Sequence, residues 1–243
     1  YMDLDKELNV YYLHVTKSSD NGKTWSKPED ITSQIAKPEW HNDFKFITSG
    51  RGIQTKDGRL LHCMVNLESG MHVFGSDDHG KTWFFIDSPL KPADESKIIE
   101  LVDGTLVVNA RVSKAGMRYT HTSTDNGKTW TTKEESQLVD PACNASIIRY
   151  TAIEDGYKKN RLLFSNANSP DKRENMTVRI SYDEGKTWSK GKTIYKGSSA
   201  YSDLTILKNG DIGLFFEKDK HTQNPFVSFS LEWLTDGKDK LEK

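Results

Sequence analysis

The chain has 243 residues, a formal net charge of -1 and two cysteines, Cys63 and Cys143. Charges of both signs are interspersed, so the basic patch of a nucleic-acid or membrane-surface protein is missing, and no stretch approaches the roughly 20 apolar residues of a membrane span. The cysteines, 80 residues apart in apolar surroundings, predict buried free thiols rather than a disulfide framework or a metal site.

A strand-like segment over residues 11–17 leads into the first of four related octapeptides, SSDNGKTW. The others are SDDHGKTW from Ser76, STDNGKTW from Ser123 and SYDEGKTW from Ser181. Their final tryptophans are 58, 47 and 58 residues apart, a period typical of a repeated supersecondary unit. Asp and Asn accept hydrogen bonds from backbone N–H groups one or two residues further along and Gly permits a positive φ, so each octapeptide predicts a turn that joins two strands.

A second repeat lies between the octapeptides, where Asp57-Gly58, Asp103-Gly104 and Asn209-Gly210 each separate two apolar segments. Such dipeptides are the strongest short-range signal for a hairpin. Two hairpins per repeat predict a four-stranded antiparallel sheet, and a ring of such sheets is a β-propeller. We therefore expect an all-β fold with four to five blades in a single domain over residues 1–243, ending in a solvated tail over 236–243.

The octapeptides contain the letters of a calcium loop, but none continues to the Glu that such a loop carries at its twelfth position. They therefore predict a scaffold, with no metal and no cofactor. Chemistry has to come from other segments, in which ionisable residues stand beside apolar strands. These segments are residues 91–96, 108–112, 168–175, and 199–204 together with 215–217.

The order of motifs along the chain resembles that of bacterial exo-α-sialidases (neuraminidases) with Asp-box repeats. The resemblance rests on the four octapeptides, the Glu-Ser-x-Ile-Ile-Glu-Leu run with its Asn-Ala-Arg, and the Asn-Ala-Ser-Ile-Ile-Arg-Tyr, Ser-Asn-x-Asn-Ser, Ala-Tyr-Ser-Asp-Leu and Phe-Ser-Leu-Glu-Trp-Leu motifs. It covers essentially the whole chain. It implies a six-bladed β-propeller, of which this chain would be the carboxy-terminal part.

The resemblance also assigns roles to particular residues. Tyr201 matches the nucleophile that attacks the anomeric carbon, and Glu95 matches its general base. Arg111 and Arg173 match two of the three arginines that bind the sialic acid carboxylate, and Glu217 matches the glutamate that orients the remaining arginine. A second arginine, Arg179, competes with Arg173 for its place; the Arg-x-Asn context favours Arg173.

These residue types suit the substrate. A sialoside carries a carboxylate on its anomeric carbon, so a neutral tyrosine, deprotonated by a glutamate, approaches it without the repulsion that a carboxylate nucleophile would meet. Sialidases are the known tyrosine exception among glycosidases. Guanidinium groups bind carboxylates through two parallel hydrogen bonds and stay charged.

Three functions remain open at this stage. The first is an exo-α-sialidase that removes terminal α-linked sialic acid from glycans with retention, through a sialyl-tyrosine; the others are a sialic-acid-binding propeller without turnover and an intramolecular trans-sialidase. The first arginine and the acid aspartate of the family are expected before the first octapeptide, outside this chain. The resemblance thus predicts sialylated glycans as partners, a companion amino-terminal chain, and a secreted, cell-surface or periplasmic location.

Overall fold

The computed structural model describes residues 10–114 and 116–243 of the chain. Among these residues, the strands pair in antiparallel ladders and form four sheets. The helices of this part of the chain are single turns: α1 Thr32–Ile35, α2 Leu231–Leu234, and the 3-10 helices Pro38–Trp40 and Ile153–Asp155. None of them is long and apolar enough to cross a membrane.

The first two sheets lie in the amino-terminal third. The first pairs β1 His14–Val15 with β2 Glu29–Asp30. The second contains β3 Lys45–Ile47, β4 Ile53–Gln54, β5 Leu60–Asn66, β6 Gly70–Ser76 and β7 Phe84–Phe85, and both β3 and β4 pair with β5.

The remaining chain forms a four-stranded and a six-stranded sheet. The four-stranded sheet contains β8 Ser96–Glu100, β9 Leu106–Ala110, β10 Gly116–Ser123 and β11 Thr131–Asp140. The six-stranded sheet contains β12 Ser146–Thr151, β13 Arg161–Ala167, β14 Glu174–Ser181, β15 Lys192–Ile206, β16 Ile212–Lys218 and β17 Phe226–Phe229.

Strand β15 belongs to two blades. Its first half pairs with β14, where Val178 lies opposite Lys192, and its second half pairs with β16, where Ile206 lies opposite Ile212. The six-stranded sheet is therefore one four-stranded blade continued into the next. If β3 and β4, which both pair with β5, are counted as one interrupted strand, the described residues hold three four-stranded blades. They also hold the outer pair of an earlier blade and, with the second half of β15, three strands of a later one, which agrees with the four to five blades predicted.

Within the described part of the chain, the core consists of four apolar layers, one between each pair of successive blades. Leu13 and Phe74 share the first layer, and Val73 and Ile98 share the second. The third and fourth layers join the next blades in the same way. Neighbouring residues of β6 such as Val73 and Phe74 face different layers, because side chains alternate between the two faces of a strand. Both cysteines are free and buried in this interior, as predicted.

The octapeptides form outer turns at the predicted positions. In the second copy, Ser76 Oγ accepts the Gly80 N–H at 2.7 Å, and Asp78 accepts both the backbone N–H and the hydroxyl of Thr82, at 2.9 and 2.7 Å. The Asp side chain thus reaches four residues ahead, further than the one or two residues expected. The residue after it also has a positive φ, which is 57° at His79. The tryptophan anchor varies, since Trp25 is 63 % exposed while the other three are partly buried.

The segment 236–243, predicted to be a solvated tail, has mostly exposed residues, but Asp239 and Leu241 attach it to the blades. Asp239 is only 8 % exposed and accepts two hydrogen bonds from Arg161, at 2.7 and 2.9 Å. Tyr182 and Lys159 also bond to this carboxylate, and Leu241 packs against the last apolar layer. The lysine-rich composition concealed this arrangement, because one buried ion pair outweighs the polarity of its neighbours in sequence.

We predict that Asp239→Asn destabilises the fold by about 3 kcal/mol, because it leaves the buried guanidinium of Arg161 without a counter-charge. Burial raises the pKa of Asp239, but the bonds from Arg161, Lys159 and Tyr182 outweigh burial and hold this pKa well below its usual range. The stabilisation is therefore present above about pH 4 and is lost as the pH falls through the lowered pKa.

Urea unfolding at neutral and acid pH measures this effect. Asp236→Asn is the control, because Asp236 pairs with Lys192 on the surface, where solvent screens the ion pair, and should contribute far less to stability. Equal stabilities of the two variants at neutral pH would contradict the assignment.

Candidate active site

Tyr201 lies where β15 passes from one blade to the next. The register of β15 on β16 shifts between Ser199 and Ser202, so Tyr201 stands at an irregularity in the ladder. Its backbone N–H donates to Glu217 Oε2 at 3.1 Å. Such irregularities are common beside active sites, where they redirect a side chain.

The Tyr201 hydroxyl meets a carboxylate from a distant part of the chain. It donates a hydrogen bond of 2.5 Å to Oε2 of Glu95, the residue immediately before β8. The same carboxylate oxygen accepts a hydrogen bond from Arg111 Nη1, which also lies 3.1 Å from the Tyr201 hydroxyl. Three residues that the sequence predicted to act together therefore form one hydrogen-bonded cluster.

This cluster determines the protonation state of Tyr201. Burial and the acceptor Glu95 raise the pKa of Tyr201 to about 12, while Arg111 opposes the increase. Burial lowers the pKa of Arg111, but the carboxylates of Glu95 and Asp94 outweigh burial and leave it raised. At neutral pH the tyrosine is consequently protonated and donates to Glu95, and the arginine is charged.

Arg173 lies beside the ring of Tyr201, whereas Arg179 has other partners. The Arg173 guanidinium carbon is 5.8 Å from the Tyr201 ring centroid, and its Nη2 donates to the carbonyl of Ala142 at 3.0 Å. Arg179 is buried instead, bonds to Asn168 at 2.8 Å, and has its pKa lowered by burial. Of the two arginines that competed for one role, Arg173 is thus the one that the fold brings to Tyr201.

A buried ion pair supports the loop that holds Arg173. Arg118 is fully buried and donates to Asp140 at 2.8 Å and to the carbonyl of Cys143 at 2.9 Å. Ala142 lies between Asp140 and Cys143 in the sequence. It has a φ of 55°, and its carbonyl accepts the hydrogen bond from Arg173. No motif predicted this support, because Arg118 lies in a strand that leads to an octapeptide.

Glu217 has a different set of contacts from the one predicted. It accepts the Tyr201 N–H, as described above, and pairs with His221 Nδ1 at 2.9 Å. Within residues 10–114 and 116–243, no arginine bonds to it. Its proposed role of orienting a third arginine stays a prediction.

A cavity of about 340 Å³ opens beside Tyr201. Its lining consists of Ser49, Gly50, Asn144, Tyr201, Ser202, Asp203, Phe215, Glu217 and Asn224. A larger cleft of about 800 Å³ lies at residues 158–160 and 234–239, but it contains none of the predicted site residues. The smaller cavity is the candidate binding site, because Tyr201 and Glu217 line it. The described residues contain no group of His, Cys, Asp and Glu side chains arranged to hold a metal ion.

Successive sheets closed by the same outer turn define this chain as a β-propeller with Asp-box turns. Residues 4–214 match the BNR repeat-like domain family. A sialidase of Micromonospora viridifaciens is 37 % identical over 93 % of this chain, and a sialidase of Bacteroides fragilis is 35 % identical over 84 %. The chain therefore belongs to the BNR repeat-like domain family, and these sialidases are among its relatives.

Solved structures agree with this assignment. The Hadza microbial sialidase Hz136 superposes with a TM-score of 0.83, at 31 % identity over 92 % of this chain and 44 % of its own. The leech intramolecular trans-sialidase superposes with a TM-score of 0.78, at 26 % identity over 93 % of this chain and 37 % of its own. The predicted sialidase-type propeller is confirmed. The chain spans 36 % and 39 % of the length of the two bacterial sialidases.

We predict that Glu95→Gln lowers the pKa of Tyr201 from about 12 towards its ordinary value of 10.0, because the charged acceptor that stabilises the phenol is removed. Ultraviolet titration of tyrosinate measures this change, with the spectrum of Tyr201→Phe subtracted to remove the other tyrosines.

Glu134→Gln serves as the control, because Glu134 accepts a hydrogen bond from Tyr119 on the surface, remote in sequence from Tyr201. A Tyr201 titration that is the same in wild type and Glu95→Gln would show that the two side chains do not interact in solution.

Proposed function

We propose that this chain carries the nucleophile, the base and two carboxylate-binding arginines of an exo-α-sialidase. The hydrogen bond between Tyr201 and Glu95, flanked by Arg111, is the observation that supports this proposal most directly. A tyrosine that is protonated at rest and already bonded to a carboxylate acceptor can lose its proton at the moment of attack. The sialidases among the relatives support the same substrate class.

Arg111 and Arg173 bind the carboxylate of the sugar in this proposal. Arg111 and Arg173 both lie against Tyr201, so a carboxylate bound between them would place the anomeric carbon near the phenol oxygen. When that carboxylate arrives, it competes with Glu95 for Arg111. Loosening this contact would make Glu95 a stronger acceptor for the tyrosine proton.

The reaction then proceeds in two displacements. The Tyr201 oxygen forms a bond to the anomeric carbon while its proton passes to Glu95, and the bond to the aglycone breaks with its electron pair on the departing oxygen. Water then attacks the sialyl-tyrosine and loses a proton to the family's acid aspartate, which has already given its own proton to the aglycone. The phenol oxygen leaves with its electron pair and takes back the proton held by Glu95, and two inversions give net retention.

Some parts of the machinery would come from elsewhere. The acid aspartate that protonates the aglycone and the first arginine of the triad are assigned to residues outside this chain, on a companion amino-terminal segment. We further propose a secreted or cell-surface protein that acts on sialylated glycans.

We predict that the purified chain hydrolyses a fluorogenic sialoside and that Tyr201→Phe lowers the rate at least about 100-fold, because the phenyl ring cannot form the covalent bond. A phenolate leaving group suits this assay, since it departs with little help from an acid. Release of the fluorophore measures the rate, and product analysis separates free sialic acid from the anhydro sugar of an intramolecular transfer.

Tyr182→Phe is the matched control, because Tyr182 bonds to Asp239 outside the candidate site. Equal rates in Tyr201→Phe and wild type would contradict the nucleophile. Binding of sialic acid without turnover would mean either that this chain is a binding propeller or that the reaction needs the acid aspartate and first arginine assigned to the companion segment.

A further inference from the structure

Lys97 is a buried lysine close to the candidate base. It lies two residues after Glu95 at the start of β8 and is only 2 % exposed. Residues two apart on a strand face the same side, so the two side chains point towards the same region. Neither the proposed mechanism nor the motif pattern gives Lys97 a role.

The Lys97 ammonium group joins three blades. It donates to the carbonyl of Ser49 at 2.5 Å and to Asn144 Oδ1 at 2.7 Å. Asn144 in turn donates to the same Ser49 carbonyl at 3.3 Å. Ser49 lies between β3 and β4, Lys97 is on β8, and Asn144 precedes β12. A single ammonium group therefore holds together segments that are distant along the chain.

Both partners of this ammonium line the cavity beside Tyr201. The turn that contains Ser49 also lies directly on the lysine. Gly50 has a φ of 96°, and a side-chain carbon added to it would approach Lys97 Cε to 2.7 Å. Asp203, a third lining residue, would lie 3.6 Å from that added carbon. The lysine thus stands behind the cavity, with the turn and the asparagine between it and the space that a ligand would fill.

A hydrophobic residue would fill this position at a lower desolvation cost. Burial lowers the pKa of Lys97 to about 8, although the carboxylates of Asp203 and Glu95 oppose the decrease. A buried ammonium group stabilises a protein poorly compared with apolar packing, but its directional hydrogen bonds fix the position of their partners. A lysine at this position therefore contributes by fixing the positions of Ser49 and Asn144 rather than by adding stability.

We propose that Lys97 is a positioning residue for the sialoside, which holds the Ser49–Gly50 turn and the Asn144 side chain in place as two walls of the cavity beside Tyr201. This inference rests on the proposed function, since the sugar ring is expected to occupy that cavity. Lys97 acts through Ser49 and Asn144 and does not itself touch the reacting atoms.

The test compares Lys97→Met and Lys97→Gln with Lys45→Met. Lys45 is a matched control because it is also 2 % exposed and donates to backbone carbonyls, of Trp40 at 2.8 Å and His41 at 3.2 Å, yet it lines a separate cavity. Two properties are measured in each protein: the affinity for free sialic acid, by calorimetry, and amide hydrogen exchange of peptides that cover residues 48–52 and 143–147.

We expect Lys97→Met to weaken sialic acid binding about tenfold and to accelerate exchange in both peptides, because one or two hydrogen bonds that fix the walls are lost. Lys97→Gln, which retains a donor, should show a smaller loss of affinity. Lys45→Met should leave the affinity unchanged and accelerate exchange only around residues 40–45. If Lys97→Met does not fold, Lys97→Gln carries the comparison.

Unchanged affinity in a folded Lys97 variant, or an equal loss in Lys45→Met, would overturn the inference. If the wild-type chain itself fails to bind sialic acid, the proposed function is wrong. In that case the exchange data still decide whether Lys97 fixes the two walls, and unchanged exchange at residues 48–52 and 143–147 would refute that as well.

Discussion

The hydrogen bond from Tyr201 to Glu95 is the interaction on which the candidate site depends. It joins residues that are 106 positions apart, so it forms only when the sheets are arranged around a common centre. Arg111 bonds to both partners and supplies the charge that lets a carboxylate remain buried beside a phenol. The result is a neutral tyrosine in contact with a carboxylate, next to cationic groups, which is the arrangement that the proposed nucleophile and base require.

The residues that stabilise the propeller are different from those that form the candidate site. The Asp-box turns close the blades on the outside, where each Asp satisfies the backbone N–H and hydroxyl of a Thr within the same turn. The apolar layers between blades hold the sheets face to face. Strand β15 serves both the scaffold and the site. It completes one blade and starts the next, and Tyr201 lies where it passes between them. Polar groups that face the centre are therefore free to serve a ligand.

Much of this arrangement could be predicted from local sequence. The turns and hairpins have strong short-range signals, and the order of the motifs predicted one site that contains Tyr201, Glu95, Arg111 and Arg173. What the sequence concealed depends on contacts between distant segments. Lys97 and Arg118 read as ordinary strand residues, because burial and partners such as Asn144 and Asp140 are set by the packing of different blades. The burial of Asp239 could not be predicted for the same reason, since its partner Arg161 lies 78 residues away.

The central claim is that Tyr201 attacks the anomeric carbon. The most direct measurement is covalent labelling with a sialosyl fluoride that carries a second fluorine on the neighbouring ring carbon, followed by mass spectrometry of peptides. Fluoride leaves without a proton from an acid, so the test needs only the groups assigned to this chain, and the second fluorine slows release of the intermediate. We predict a sialyl adduct on the peptide that contains Tyr201 and no adduct in Tyr201→Phe. Labelling of a different residue, or equal labelling of Tyr201→Phe, would contradict the account.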